Sequence, residues 1–165
     1  FAVGGVWGVS GANLHLLRLW RSRAGLNEIC NAMVGLCDWV EEIWPGLPQY
    51  VLIEAAATGP DAAAEIRSKV RGVKEIPAKG SKEMRAEAAA PALEGRNCFL
   101  PGYELPEGGG YDQRTPSAIQ AFVEECAVFN NGLHDDQVDH WSQVVNWTRR
   151  RSLRPASLTV PEGVV

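Results

Sequence analysis

Three aspartates open an apolar segment near the C-terminal end of the chain, and they are Asp135, Asp136 and Asp139. Val138, Trp141 and Val145 follow at the spacing that puts side chains on one face of a helix. The pattern predicts a buried helix with its carboxylates in the first turn. Free backbone N–H groups and the helix dipole favour negative charge at that end.

Three carboxylates in one turn allow two interpretations. One short side chain is enough to cap a helix, so Asp135 or Asp136 would be a cap and the other acids would be solvated. Crowded carboxylates also repel one another unless a cation or a proton lies among them, and hard divalent metals bind carboxylate oxygens. Spacing alone leaves both the cap and the metal site open.

Length and charge limit the classes of protein to which the chain can belong. A chain of 165 residues, 45% of them hydrophobic, suits one globular domain with a real core. The net charge is −4, so DNA binding would need a local basic patch. The four cysteines form no CxxC pair, which indicates buried thiols of a reducing compartment. No apolar run has the length of a membrane span.

The first third of the chain predicts an early strand pair, a helix and a further strand. Residues 2–9 and 14–20 have strand character and are joined by a turn, so they should form a hairpin. Apolar residues at helical spacing predict a helix over 27–44. Residues 50–53 are all apolar, which is typical of a central strand buried on both faces.

Glu54 ends that apolar run, at the position where open α/β sheets hold their ligands. Small residues follow at 55–59 and leave room beside its carboxylate, before Pro60 starts a helix. A glutamate paired with a nearby Lys or Arg is the structural alternative. The strand position and the cleared space favour a functional role for Glu54.

The rest of the chain continues the alternation of helices and strands. In chain order we expect a helix over 60–70, a strand over 73–76, a helix over 82–93, a strand over 97–100, a helix from about 115 to 126 and the acidic helix to about Arg149. Ser81 is placed to cap the helix that begins at Lys82. Residues 102–111 predict a mobile loop. The order of elements indicates a mixed sheet flanked by helices.

Basic residues concentrate between positions 67 and 85. They are Arg67, Lys69, Arg71, Lys74, Lys79, Lys82 and Arg85. Such a run usually forms a solvated face, but in an acidic chain it is also the best candidate for a patch that contacts phosphates. A second basic cluster follows the acidic helix at Arg149, Arg150, Arg151 and Arg154.

Four segments, in order, resemble the nuclease domain of the large terminase subunit of tailed bacteriophages, a branch of the ribonuclease-H-like nucleases. They are VLIEAAATG at 51–59, GSKEMRAEAAAPALEGR at 80–96, NCFLPG at 97–102 and HDDQVDHWSQ at 134–143. Each segment is weak alone, whereas the ordered set is fairly specific. Together the four segments span most of the chain from Tyr50 to about Trp147. The resemblance implies an α/β fold with a ribonuclease-H-like mixed sheet flanked by helices.

The resemblance also implies a metal-dependent endonuclease that cuts double-stranded phage DNA during genome packaging. Two Mg²⁺ or Mn²⁺ ions would activate a water and stabilise the leaving oxygen. The metal ligands would be Glu54, Asp135, Asp136 and Asp139. Lys82 would act with the first three in catalysis, as a point charge on a phosphate. The DNA contacts would be Lys79, Lys82, Arg85, Arg67 and Lys69.

The family's first metal-binding acid has no counterpart at the start of this chain. No Asp or Glu precedes Glu28, so we expect that acid on a strand before Phe1. Residues 1–154 would then be an N-terminally incomplete nuclease domain, weak or inactive without that strand, and 155–165 a flexible tail. The intact protein would add an N-terminal packaging ATPase domain and would meet the portal and the small terminase subunit in the host cytoplasm. The 165 residues contain no GxxxxGK[ST] loop.

Two other interpretations of these residues stay open. A ribonuclease-H-like scaffold could bind DNA or a protein partner without cutting. A relative of Holliday-junction resolvases or integrases would share the acids but not the Lys82 segment. The nuclease interpretation makes a geometric prediction, since the carboxylates of Glu54 and Asp136 must lie within about 10 Å of each other to share two metals.

Overall fold

The computed structural model of the chain describes residues 1–47, 49–55, 59–101 and 117–151. These residues form five strands and five helices, a mixed α/β fold. In chain order the elements are β1 (Ala2–Ser10), β2 (Asn13–Ser22), α1 (Leu26–Ile43), β3 (Val51–Glu54), α2 (Gly59–Arg67), β4 (Val73–Ile76), α3 (Lys82–Glu94), β5 (Cys98–Phe99), α4 (Ser117–Ala127) and α5 (Asp136–Arg150). The predicted loop at 102–111 and the predicted tail lie outside the described residues.

Each strand and helix that the sequence predicts is present, with differences at the ends. Helix α2 ends at Arg67, three residues earlier than expected. The hydroxyl of Ser68 donates to the carbonyl of Glu65 at 2.7 Å, a local bond of the kind that competes with helix continuation. Strand β5 is two residues long, and both of its residues pair with β2.

The strands form two sheets in the described part of the chain. The first has the order β1-β2-β5, with β2 and β5 parallel and Leu14 opposite Cys98. A turn at Gly11 and Ala12 joins β1 to β2, which makes this pair a hairpin, and Gly11 adopts a φ of 61° that suits glycine. The second sheet is the parallel pair β3-β4, with Glu54 opposite Ile76.

The all-apolar run before Glu54 led us to expect a central strand of one mixed sheet. Among the described residues, β3 instead has β4 as its single neighbour. Val51 is buried, whereas Leu52 and Ile53 remain half-buried. The prediction overestimated the burial of Leu52 and Ile53, because a strand in a two-stranded sheet keeps one edge unpaired and part of its faces accessible. The described residues therefore form a mixed α/β fold with a small three-stranded mixed sheet, a parallel strand pair and five helices.

The chain divides into two compact units, each with its own core. The first unit comprises residues 1–4 and 21–80, and the second comprises residues 5–20 and 81–165 as far as they are described. In the first unit, a cluster of three buried side chains lies where α1 and α2 meet the β3-β4 sheet. Its members are Cys30, Ala62 and Ile66.

The core of the second unit forms around α5. Val138, Trp141 and Val145, the face that helical spacing predicted, are 3%, 3% and 0% exposed. This face packs on α3 through Ala89 and Ala92, whose small side chains allow the two helices to approach closely. The packing confirms the predicted buried helix and places the start of α3 beside the start of α5.

All four cysteines are free thiols. Burial, aided by the charge of Glu125, raises the pKa of Cys126 to about 12. Burial, aided by Asp38, raises the pKa of Cys37 to about 11. Both groups are therefore poor nucleophiles at neutral pH, because the thiolate is the reactive form.

None of the described helices is both long enough and apolar enough to cross a lipid bilayer.

Candidate functional site

The acidic turn lies at the start of α5, as predicted, with Asp135 as the N-cap residue and Asp136 and Asp139 in the first turn. The side chain of Asp135 makes no capping hydrogen bond. Its Oδ1 instead accepts a hydrogen bond from Lys82 Nζ at 2.6 Å. The simple cap interpretation is therefore wrong for the side chain of Asp135, although its position in the helix is that of a cap.

Lys82 is held in place by the start of α3. The Oγ of Ser81 accepts a hydrogen bond from the backbone N–H of Met84 at 3.3 Å, which confirms Ser81 as the cap of this helix. Lys82 and Arg85 are three residues apart and so share a face of α3. That face meets the first turn of α5.

Arg85 and Asp139 form the more protected of two ion pairs at this junction. Arg85 donates to Asp139 Oδ1 from Nε at 2.9 Å and from Nη2 at 2.5 Å. The two side chains are only 12% and 13% exposed. Asn146 adds a hydrogen bond from its Nδ2 to the Arg85 carbonyl at 2.9 Å. This arrangement ties α3 to α5 and engages one oxygen of Asp139.

Lys82 and Asp135 form the more exposed pair, with 41% of each side chain accessible. The hydrogen bond to Asp135 is the main cause that raises the pKa of Lys82, and partial burial acts in the opposite direction. The charges of Asp135, Asp139 and Asp136 raise the pKa further. All three carboxylates of the turn therefore act on one ammonium group.

Glu125 on α4 is a residue of this site that we did not identify from the sequence. Its carboxylate is 6% exposed and meets the first turn of α5. Oε1 accepts from the backbone N–H groups of Gln137 at 2.6 Å and Val138 at 3.3 Å, and Oε2 accepts from Gln137 Nε2 at 2.9 Å. A signal was present, since Glu125 follows Ile119 and Phe122 at three-residue spacing on the apolar face of a predicted helix.

His140 is the second residue whose setting the sequence did not reveal. Its Nε2 accepts a hydrogen bond from Trp7 Nε1 at 3.0 Å. Burial lowers the pKa of His140 to about 4, so the imidazole is neutral at pH 7. A Cβ atom at Gly5 would lie 2.8 Å from His140 Nε2, which is why β1 needs a glycine there. This pair fixes α5 against β1.

Glu54 lies at the C-terminal end of β3 in the first unit, as predicted. The backbone beyond it is held by a hydrogen bond from Ala55 N–H to the Ile76 carbonyl at 2.9 Å. A Cβ atom at Gly59 would lie 1.8 Å from the Glu54 carbonyl oxygen, so the start of α2 needs a glycine. Residues 56–58 lie outside the described residues. The predicted closeness of Glu54 to Asp136, which lies in the second unit, stays a prediction.

The basic run is divided between the two units. Lys79 is exposed in the loop before α3. Arg67 pairs with Glu75 at 2.6 Å and Lys69 pairs with Glu65 at 2.7 Å, both at accessible positions. These two bases therefore form part of a solvated face whose charge is partly offset by acids. Their predicted contacts with DNA stay predictions.

No family model matches the chain, and no curated protein matches it.

The chemistry of the acidic turn suits a hard divalent cation, because carboxylate oxygens are the ligands that Mg²⁺ and Mn²⁺ prefer. Within the described ranges, no three His, Cys, Asp or Glu side chains form a group that could hold a metal ion. Asp135 and Asp139 are engaged by Lys82 and Arg85. A complete metal site would therefore need carboxylates from outside the turn and a shift of Lys82 away from Asp135.

Proposed function

We propose that the chain is a ribonuclease-H-like nuclease domain of the phage terminase type, which hydrolyses phosphodiester bonds of double-stranded DNA with Mg²⁺ or Mn²⁺. The observation that carries the proposal is the contact between Lys82 and Asp135, 2.6 Å long and formed by residues 53 positions apart in the chain. The contact brings together Lys82, a basic residue that can bind a phosphate, and the acidic turn, whose carboxylates can bind a metal ion. The same two segments carry the sequence resemblance.

The contact supports a nuclease because of what phosphodiester hydrolysis requires. The acids that hold the metal ions and the base that holds the phosphate must reach the same phosphodiester group. The contact between Lys82 and Asp135 supports such an arrangement, and the charges of all three aspartates raise the pKa of Lys82.

Each residue of the junction has a distinct role in the proposal. Asp135, Asp136 and Glu54 would hold the ions, which would supply an activated water and stabilise the leaving oxygen. Lys82 would bind a phosphate oxygen, and its 41% exposure leaves room for it to move from Asp135 to that oxygen. Asp139 is better placed to hold α3 against α5 than to bind a metal ion, because it forms a mostly buried ion pair with Arg85.

The proposed setting follows from the same resemblance. The domain would act on phage DNA in the host cytoplasm, beside a packaging ATPase domain, the portal and the small terminase subunit.

A non-cleaving scaffold is the second candidate, and one observation favours it. Asp135 and Asp139 already have cationic partners, as they would in a structural ion-pair network. In that case the basic residues would bind DNA or a protein partner, and no metal-dependent reaction would exist.

Cleavage of plasmid DNA with Mn²⁺ or Mg²⁺ tests the proposal in the full-length protein. We expect cutting with little sequence preference. Glu54→Ala and Asp136→Ala should each abolish cutting without loss of the folded state, because they remove ligands and spare the core. Glu87→Ala, at an exposed position of α3, is the matched control and should retain cutting. Undiminished cutting by Glu54→Ala or Asp136→Ala would reject the nuclease assignment, and absence of any metal-dependent cutting would favour the scaffold.

A further inference from the structure

The carboxylate of Glu125 occupies a place at α5 that a cap residue usually fills. The first N–H groups of a helix have no partners within the helix, and the side chain of the N-cap residue normally accepts from one of them. In α5 the side chain of Asp135 does not do so. Glu125, twelve residues before Gln137 and on a different helix, accepts from the N–H groups of Gln137 and Val138.

We propose that Glu125 is a positioning residue for the acidic turn, because it caps α5 from α4 and so leaves the Asp135 carboxylate to face Lys82 and a bound cation. The inference rests on the proposed function for the identity of that cation. Its geometric part concerns the direction of one side chain and can be tested without any metal.

Burial makes this cap a strong constraint. Glu125 is 6% exposed and Gln137 is 1% exposed, so water cannot replace their hydrogen bonds. Gln137 Nε2 holds the second oxygen of Glu125 at 2.9 Å, which fixes the plane of the carboxylate. Hydrogen bonds to an ionised acceptor are stronger than neutral ones, and a helix start favours a negative charge.

Loss of the Glu125 acceptor would leave two N–H groups of α5 without their present partner. Asp135 is the nearest residue in sequence with a carboxylate suited to them. Its side chain would then turn toward the helix and away from Lys82. Glu125→Gln should avoid this change, because its amide oxygen still accepts from the backbone and the Gln137 amide can rotate to accept from the new NH₂ group.

A double-variant cycle in thermal unfolding tests the direction of the Asp135 side chain. In the wild-type background, Asp135→Ala should lower Tm no more than Lys82→Met does, since only their exposed ion pair is lost. In the Glu125→Ala background, Asp135→Ala should lower Tm by a further 2–4 °C, about the effect of a lost cap in a chain of this length. Equal Tm shifts in both backgrounds would overturn the inference.

If Glu125→Ala does not fold, the variants made in the wild-type background still test the inference. A Tm shift of about 2–4 °C for Asp135→Ala in the wild-type background, with no shift for Lys82→Met, would mean that Asp135 already acts as the cap. That result would overturn the inference without any use of Glu125→Ala.

Binding of Mn²⁺ alone, followed by calorimetry, tests the functional part. Glu125→Ala should weaken binding about 10-fold, the usual effect of losing a group that orients a metal ligand, and Glu125→Gln should stay within about 2-fold of the wild type. Equal weakening by both variants would assign the effect to charge and overturn the positioning role. If the wild-type protein bound no Mn²⁺, the proposed function would fail, and the Tm cycle would still decide the role of Glu125.

Discussion

The ammonium of Lys82 contacts Asp135 in a pair whose side chains are each 41% exposed. An exposed pair of this kind contributes about 0–1 kcal/mol to stability, because water and salt screen it. Lys82 can therefore leave Asp135 at little energetic cost. This property fits a residue that exchanges a carboxylate for a phosphate.

Lys82→Ala should separate catalysis from binding. If Lys82 contacts the scissile phosphate, the variant should cut DNA about 100-fold more slowly, because it lacks a charge that stabilises the transition state. Its DNA binding should weaken only modestly, and the salt dependence of binding should change by about one unit. Cleavage rate and binding at several salt concentrations should be measured on the same preparation. Lys74→Ala removes another charge of the same basic run, at an exposed position of β4, and as the matched control should leave the cleavage rate unchanged at saturating DNA.

Two other results of the Lys82→Ala experiment are informative. A variant equal to the wild type in both assays would make Lys82 a solvated helix residue. A variant with weaker binding in a protein that shows no metal-dependent cutting would support the non-cleaving scaffold.

His140 should make the stability of the protein depend on pH. Its folded-state pKa of about 4 lies below the ordinary value of 6.5, so the unfolded state binds the proton first as the pH falls. The contribution of His140 to the free energy of unfolding is therefore complete above pH 6.5. It is lost progressively between pH 6.5 and 4, to a total of at most about 3 kcal/mol. Urea unfolding of the wild type and His140→Gln should be compared at pH 7, 6 and 5. Acids that titrate in this range affect both proteins equally, so the difference between the two free energies of unfolding reports His140. A difference that stays constant from pH 7 to pH 5 would contradict the prediction.

At the scale of the elements, the junction of α3 and α5 decides where the charged residues meet. Ala89 and Val145 are both 0% exposed and lie in one apolar cluster. Their close packing brings the two helix starts together, so that Lys82 reaches Asp135 and Arg85 reaches Asp139. The site therefore depends on small side chains that lie away from it.

Ala89→Leu should disturb this junction. Added methylene groups in a packed core usually cost about 1–3 kcal/mol, because neighbouring side chains and helices have to shift. Ala88→Leu is a matched control, since Ala88 is the neighbouring residue and is exposed. It should change the free energy of unfolding by no more than about 0.5 kcal/mol. Urea unfolding measures both, and equal effects would show that the helix contact tolerates the larger side chain.

At the scale of the whole molecule, the residues assigned to the proposed function belong to both compact units of the chain. Glu54 ends a strand of the first unit, and Asp136 begins a helix of the second. Neither unit provides a group of three metal ligands among its described residues.

Mn²⁺ binding to Glu54→Ala, Asp136→Ala and the double variant tests this sharing. If both carboxylates bind the same ions, each single variant should lose most of the affinity, and the double variant should lose little more. Titration calorimetry gives the three affinities. Single variants that each abolish one binding event and leave the affinity of the other unchanged would place the two residues at independent sites and would contradict the shared pair of ions.

The sequence by itself determined the features that depend on near neighbours. The order of strands and helices follows from local periodicity, and so does the buried face formed by Val138, Trp141 and Val145. The cap of α3 follows from Ser81, which bonds to a residue only three positions away. In such cases the interacting groups lie within one turn of the chain, so their spacing is visible in the sequence.

The tertiary structure alone decided which distant groups meet. Trp7 and His140 are 133 residues apart, Lys82 and Asp135 are 53 apart, and no local pattern specifies either partner. The start of α5 is the clearest case, because a carboxylate from α4 caps it although Asp135 stands at the cap position. The packing of α4 against α5 places the Glu125 carboxylate at these N–H groups, whereas the Asp135 carboxylate accepts from Lys82.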